Sequence, residues 1–156
     1  MSAPFDKQKR PKVGIGVLVT STDHTGCVLV GKRKGNVAGE GMFALPVGHL
    51  EFGKTWEECT IRETKEETGL QLKNVQFYHV CNGLDLDHDY HYLELYMIGE
   101  VDETFQREPV NMEPDKCEGW YWMEWRELKA KPEQLFFPLR LLLDQGMNPL
   151  IKMGLN

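Results

Sequence analysis

Between Gly48 and Leu70 the chain reads GHLEFGKTWEECTIRETKEETGL, and this stretch constrains the fold more than any other. Two glycines near its start give way to a run dense in helix formers. Thr55 is placed to cap that run and Gly69 to stop it, so the spacing predicts a helix over about 55–68. Glu63, Glu66 and Glu67 stand at i, i+3 and i+4 and share one helix face. Like charges at that spacing repel, so the face calls for a compensating cation. Arg62 could brace a carboxylate through a bidentate pair. A cluster of hard oxygen ligands also suits Mg²⁺ or Mn²⁺, which bind carboxylates together with substrate phosphates. Three glutamates alone read first as a solvated acidic face. The glycine-rich approach shifts that reading towards a site, because bare backbone can come close to a phosphate or a metal.

The rest of the chain supplies strands and a second helix. Val13, Ile15, Val17 and Val19 alternate with Gly14, Gly16, Leu18 and Thr20, which predicts a strand with one strongly apolar face. Cys27–Gly31 reads as the returning strand, followed by a glycine-rich loop at Gly35–Gly41 and a short apolar piece at Met42–Pro46. Val75–Val80, Tyr90–Ile98 and Gly119–Trp125 read as further strands, with Asp85–Asp89 as an acidic turn. Pro138 fits the first turn of a closing helix that ends before Gly146. Irregular alternation without an internal repeat gives α/β or α+β. Residues 1–11 read as a flexible basic leader, and 12–156 as one domain.

The 156 residues carry 18 Lys and Arg against 24 Asp and Glu, a net charge of −6. That balance argues against a nucleic-acid polymer as partner, since backbone binding needs a basic face. There is no apolar run of membrane-spanning length, and the N-terminus lacks the apolar core of a signal peptide. Cys27, Cys59, Cys81 and Cys117 form no CxxC pair and read as buried or half-buried thiols. These features give the expectation of a soluble cytoplasmic domain without membrane association.

The 48–70 segment resembles the signature of the Nudix (MutT-type) hydrolases: Gly, five residues, Glu, seven residues, Arg-Glu-hydrophobic-any-Glu-Glu-any-Gly-hydrophobic. Gly48, Arg62, Glu63, Glu66, Glu67, Gly69 and Leu70 occupy its positions. Three positions depart. Lys54 stands where the signature has Glu, Thr64 where it has an apolar residue, and Val47 where relatives have a second glycine. In the family the missing glutamate commonly braces the signature arginine; Glu51 is the candidate substitute. Stretches such as Gly31–Gly35, Leu50–Gly53, Thr55–Cys59 and Leu72–Val75 are similar to the vertebrate branch that hydrolyses thiopurine and oxidised guanine nucleotides.

The resemblance implies an α/β/α sandwich around a central mixed sheet, a loop-helix-loop catalytic motif, and a homodimer. It implies metal-dependent conversion of a nucleoside triphosphate to monophosphate and pyrophosphate. Glu63, Glu66 and Glu67, with the backbone of Val47, would hold Mg²⁺ or Mn²⁺. Glu66, Glu67 and Arg62 are the catalytic candidates, the base being Glu67, another of these glutamates or a hydroxide on the metal. Glu113 or Glu118 could add a carboxylate. Arg33 and Lys34 are candidates for contacts to phosphate or base, His49 for phosphate, and Phe136 and Leu139 for packing around the base. Read without the resemblance, Lys34 is also a solvated loop charge, and the aromatic pair Phe136–Phe137 is also core. Ala44 and Glu94 stand where the similar branch has a longer amide and a small hydroxyl residue, so base preference does not transfer. Trp120, Trp122 and Trp125 read as core or dimer interface. Two other readings compete: a catalytically impaired binding module, motivated by Lys54, and a hydrolase of nucleotide sugars or dinucleotides.

Overall fold

The alternation in the first strand is built twice over into opposite layers. The computed structural model describes residues 9–152; the leader expected at 1–11 therefore lies mostly outside the described residues, as do residues 153–156. Strand β1 (Lys12–Thr20) pairs parallel with β6 (Tyr90–Val101) and antiparallel with β4 (Val47–His49). Strand β5 (Leu72–Asp85) pairs antiparallel with β6 and completes a mixed four-stranded sheet in the order β4-β1-β6-β5. A second sheet has the order β3-β2-β7, from Phe43–Ala44, Cys27–Arg33 and Cys117–Glu124.

Successive side chains of a strand point to opposite faces. Ile15, Val17 and Val19 of β1, with Leu95 and Met97 of β6, pack on one side with Cys59 of helix α1 (Trp56–Thr68). Leu18, Tyr96 and Ile98 pack on the other with Leu139 and Leu142 of helix α3 (Phe137–Asp144). The result is the α/β/α sandwich with a mixed sheet. It corrects one expectation: β1 has not one apolar face but two buried ones, with Thr20 also buried. Two short helices, α2 (Trp125–Lys129) and α4 (Pro149–Lys152), flank α3.

Element ends follow local chemistry. Thr55 accepts from the Glu58 N–H and the Glu58 carboxylate accepts from the Thr55 N–H, a reciprocal cap that starts α1. Gly69 takes the left-handed conformation at φ 74° and ends it. Strand β5 runs further than the expected Val75–Val80, because pairing with β6 carries it past its own apolar stretch, with register shifts near Asn74 and Tyr78. All four cysteines are free and buried or half-buried, as expected. Among the described residues no helix is long and apolar enough to cross a membrane.

Candidate active site

Helix α1 lies against β4, and the contact is possible because residue 48 has no side chain. A Cβ there would sit 2.2 Å from Cδ of Glu63, so the glycine makes room for the carboxylate over the strand. One residue earlier, the Val47 N–H donates to Oε1 of Glu67 at 3.3 Å. The C-terminal end of α1 is pinned from outside: the Glu67 carbonyl accepts from the Trp120 indole at 3.1 Å and from the Met112 N–H at 3.3 Å. Glu63 and Glu67 are thereby held together, and their carboxyl groups share a hydrogen bond.

Burial dominates the electrostatics of this pair. It pushes the Glu67 carboxyl up to about 9, with the neighbouring Glu63 charge adding to the effect. Burial raises Glu63 too, against the pull of Arg62. A carboxylate pair that retains a proton this strongly is short of positive charge. Arg62 divides its charge among three carboxylates and is not paired with Glu67. Its guanidinium pairs with Glu51, with Glu63 at 3.1 Å and with Glu66 at 3.3 Å. Glu51 thus fills the bracing role that the signature gives to position 54, while Lys54 is exposed and takes no part.

The donor set of Glu63 and Glu67, all hard oxygen and deficient in positive charge, fits a divalent cation that would take the place of the shared proton. Among the described residues no three carboxylate, imidazole or thiol side chains already converge on one point. Glu66 also lines the cavity, with its carboxylate held by the Arg62 guanidinium. Glu113 lies on the same cavity wall and adds its charge to the field at Glu67, whereas Glu118 is exposed and off that wall.

The pair opens into a cavity of about 710 Å³, within the range that holds a nucleotide-sized ligand. Arg33 ends β2, and its Nε donates to the Ala38 carbonyl at 2.6 Å. Its guanidinium lies 4.1 Å from the centre of the Phe136 ring, a cation–π stack. Phe136 is anchored by its N–H on the Phe43 carbonyl at 2.8 Å, and a Cβ on Gly39 would strike its ring at 2.3 Å. His49 lies on the cavity edge, its Nε2 2.8 Å from the Tyr92 hydroxyl.

Two expected contacts are corrected. Lys34 is exposed and off the cavity wall; the lysines that do line it are Lys32 and Lys116. Leu139 is 1% exposed and packs into the core, because α3 turns its apolar face to β6; Pro138 forms the wall instead. Trp120, read as core or interface, lines the cavity, while Trp125 is core and Trp122 stacks on His24 at the surface. Tyr90, Tyr92, Lys32 and Lys116 were missed by sequence reasoning. Tyr90 and Tyr92 start β6, Lys32 lies near the end of β2 and Lys116 in the loop before β7, places where nothing in spacing marks a residue as facing a cavity.

With the geometry in view, comparison with known proteins is consistent. The profile of the NUDIX domain family matches residues 10–144, and the chain belongs to that family. An ADP-ribose pyrophosphatase of Methanocaldococcus jannaschii is 42% identical over 74 residues, 47% of this chain and 43% of that protein. The m7GpppN-mRNA hydrolase NUDT17 of Xenopus laevis is 28% identical over 117 residues, 68% of this chain and 38% of that protein. These matches span less than half the length of either relative. A MutT Nudix hydrolase from Burkholderia pseudomallei superposes with a TM-score of 0.65 at 25% identity, covering 81% of this chain and 98% of that one. The Nudix domain of Shewanella oneidensis NrtR, complexed with ADP ribose, gives 0.71 at 14% identity, covering 90% and 89%.

Proposed function

We propose that the chain is a Mg²⁺-dependent pyrophosphohydrolase that converts a nucleoside triphosphate to its monophosphate and pyrophosphate. The observation that carries the reading is the Glu63–Glu67 pair, cradled by Gly48 and charge-deficient, at one end of a cavity of nucleotide size. Glu63 and Glu67 would hold the cation, with Glu66 and Glu113 within the same wall to add oxygen ligands. When bound, the cation neutralises the phosphates and the charge that develops on them. Arg33 and Lys116 bring positive charge to the polyphosphate. Phe136, stiffened by Arg33, offers a flat face for a base. Arg62, held by Glu51, keeps Glu63 and Glu66 in place. The Glu51 brace supports the active reading over a catalytically impaired binding module.

A second reading keeps the chemistry and changes the substrate to a nucleotide sugar or dinucleotide. It is favoured by the relative that is an ADP-ribose pyrophosphatase and by the NrtR domain complexed with ADP ribose. A homodimer also belongs to this proposal. Trp56 and Phe77, 5.6 Å apart, are exposed along with Val80, Leu84 and Leu93, an apolar surface that a second copy would cover.

The test is turnover of nucleoside triphosphates, ADP-ribose and dinucleotides with Mg²⁺ and with chelator. Chelator-sensitive release of pyrophosphate from triphosphates is expected. Glu67→Gln should lower that rate by about a hundredfold or more while the melting temperature is retained. Unchanged turnover in this variant would remove Glu67 from the mechanism.

A further inference from the structure

Residues 102–116, between β6 and β7, form a long connection that carries two members of the cavity wall, Glu113 and Lys116. A connection of this length needs specific ties to keep one path. Its large apolar side chains do not supply them, since Phe105, Val110 and Met112 are half-exposed or more. Polar contacts hold the path instead. At its far end the Lys34 N–H donates to the Lys116 carbonyl at 2.9 Å. In its middle the Val110 and Met112 N–H groups donate to the Thr68 and Glu67 carbonyls of α1, at 2.8 and 3.3 Å.

A third tie, ahead of these, reaches other elements. Glu108 spreads its carboxylate over two donors: Oε2 takes the His24 Nε2–H at 2.7 Å, and Oε1 takes the Trp122 indole N–H at 3.0 Å. His24 lies in the turn between β1 and β2, and Trp122 on β7. Their rings stack with centroids 4.8 Å apart and 12° between planes, so both N–H groups aim at one carboxylate. An ionised carboxylate only accepts, which puts the His24 proton on Nε2. Beside this contact Arg107 pairs with Asp23 at 2.9 Å, joining the same turn to the same loop. Trp120 and Trp122 stand two apart on β7 and share a face. The Trp120 indole donates to the Glu67 carbonyl. One strand therefore fixes Glu67 directly and, through Glu108, the loop that brings the Glu113 charge into the field at Glu67.

We infer that Glu108 is a positioning residue of the site. By joining the His24 and Trp122 N–H groups it sets the path of residues 108–113, and so holds Glu113 where it adds an oxygen ligand beside Glu63 and Glu67. The inference rests on the reading of the site as a metal-dependent hydrolase and goes beyond it, because Glu108 is off the cavity wall. Its bonds are partly exposed and contribute little to global stability. What they govern is where a short segment lies, and a misplaced ligand loses affinity out of proportion to the stability lost.

The test uses the full chain as wild type, Glu108→Ala, Glu108→Gln, Glu113→Ala and the double variant Glu108→Ala/Glu113→Ala. Two readouts need no turnover: Mg²⁺ affinity by calorimetry, and amide hydrogen exchange over residues 108–113. Glu108→Ala is expected to weaken Mg²⁺ binding by about tenfold. Exchange over 108–113 should quicken by about tenfold, with the amides of β1 and α1 unchanged. Glutamine accepts from Trp122 and donates to the other tautomer of His24, so Glu108→Gln should stay within about threefold of wild type in both readouts. In the Glu113→Ala background, Glu108→Ala should still quicken exchange but should weaken Mg²⁺ binding no further, as expected of a residue that acts through another.

Unchanged exchange over 108–113 in Glu108→Ala would overturn the inference, and so would faster exchange throughout the chain. Equal losses of Mg²⁺ affinity with and without Glu113 would do the same, as would a Glu108→Gln variant no better than alanine or a Glu113→Ala variant that binds Mg²⁺ like wild type. A wild-type chain that binds no Mg²⁺ would remove the hydrolase reading and this inference together. Mg²⁺-dependent turnover in the wild type, with Glu108→Ala unaltered, would remove the inference alone.

Discussion

At the scale of single residues, the arginine of the signature shows how one contact is relocated without being lost. Position 54 holds Lys, whose charge could not brace Arg62. Glu51 does so from the other side of the turn, whose backbone closes by the Lys54 N–H on the Glu51 carbonyl at 3.1 Å. Removing a group that orients a ligand carboxylate commonly costs ten- to a hundredfold in activity. Glu51→Gln should therefore lower turnover by about tenfold or more. Lys54→Glu should change it by about twofold at most, since Lys54 is exposed and Arg62 is already paired. Steady-state kinetics on both variants checks this; a large gain in Lys54→Glu would mean that Glu51 braces poorly. The sequence named Glu51 as a candidate but could not place it, because a loop's path depends on what it packs against.

At the scale of elements, helix α1 carries a mark of its unusual composition. Its buried face is built from Cys59, Thr60, Thr64 and Thr68 rather than from large aliphatic residues. Thr60 and Thr68 satisfy their hydroxyls on carbonyls one turn back, Trp56 at 2.8 Å and Thr64 at 2.6 Å. The Thr64 hydroxyl is buried without a partner. It occupies the signature's apolar position, where a methyl would serve as well. Thr64→Val should stabilise the protein by about 1 kcal/mol, a rise in melting temperature of about 2–4 °C. A fall in melting temperature would show that the hydroxyl finds a partner in solution. The helix itself was legible from Thr55, Gly69 and its helix formers. The length of β5 was not, because the ladder with β6 and not its own residues extends it.

For the whole molecule, the charge-deficient site predicts how stability answers to pH and to metal. The Glu67 carboxyl is raised from the ordinary 4.5 to about 9, so the folded protein binds this proton more tightly than the unfolded chain does. The stabilisation is complete below the unfolded value and is lost as pH climbs from about 5 to about 9. Burial raises Glu63 and Glu94 in the same direction. The metal-free protein should therefore melt at progressively lower temperature over that range. Mg²⁺, taking the proton's place, should raise the melting temperature more at pH 8 than at pH 5.5. Thermal denaturation with and without chelator at both pH values checks this. A metal-free melting temperature that rises over the range would show that Glu67 is not the proton's site.

What the amino-acid order settled was local and periodic. The cap at Thr55, the stop at Gly69, the shared face of Glu63, Glu66 and Glu67, and the alternation of β1 depend on residues a few positions apart. Helix and strand geometry turns such spacing into direction. The sequence therefore carried the fold class and the acidic end of the site. What lay beyond it was every contact between distant segments. Leu139 and Pro138 exchange roles according to how α3 rolls on the sheet, and Lys34 yields the cavity to Lys116, 82 positions along in the chain yet on the same wall. Glu94 stands out in the sequence as an altered position, but its burial on the cavity wall under the Tyr90 hydroxyl depends on how β6 packs. Those outcomes follow from the packing of whole elements, whose register and rotation are set by the summed burial of many side chains rather than by any one neighbour.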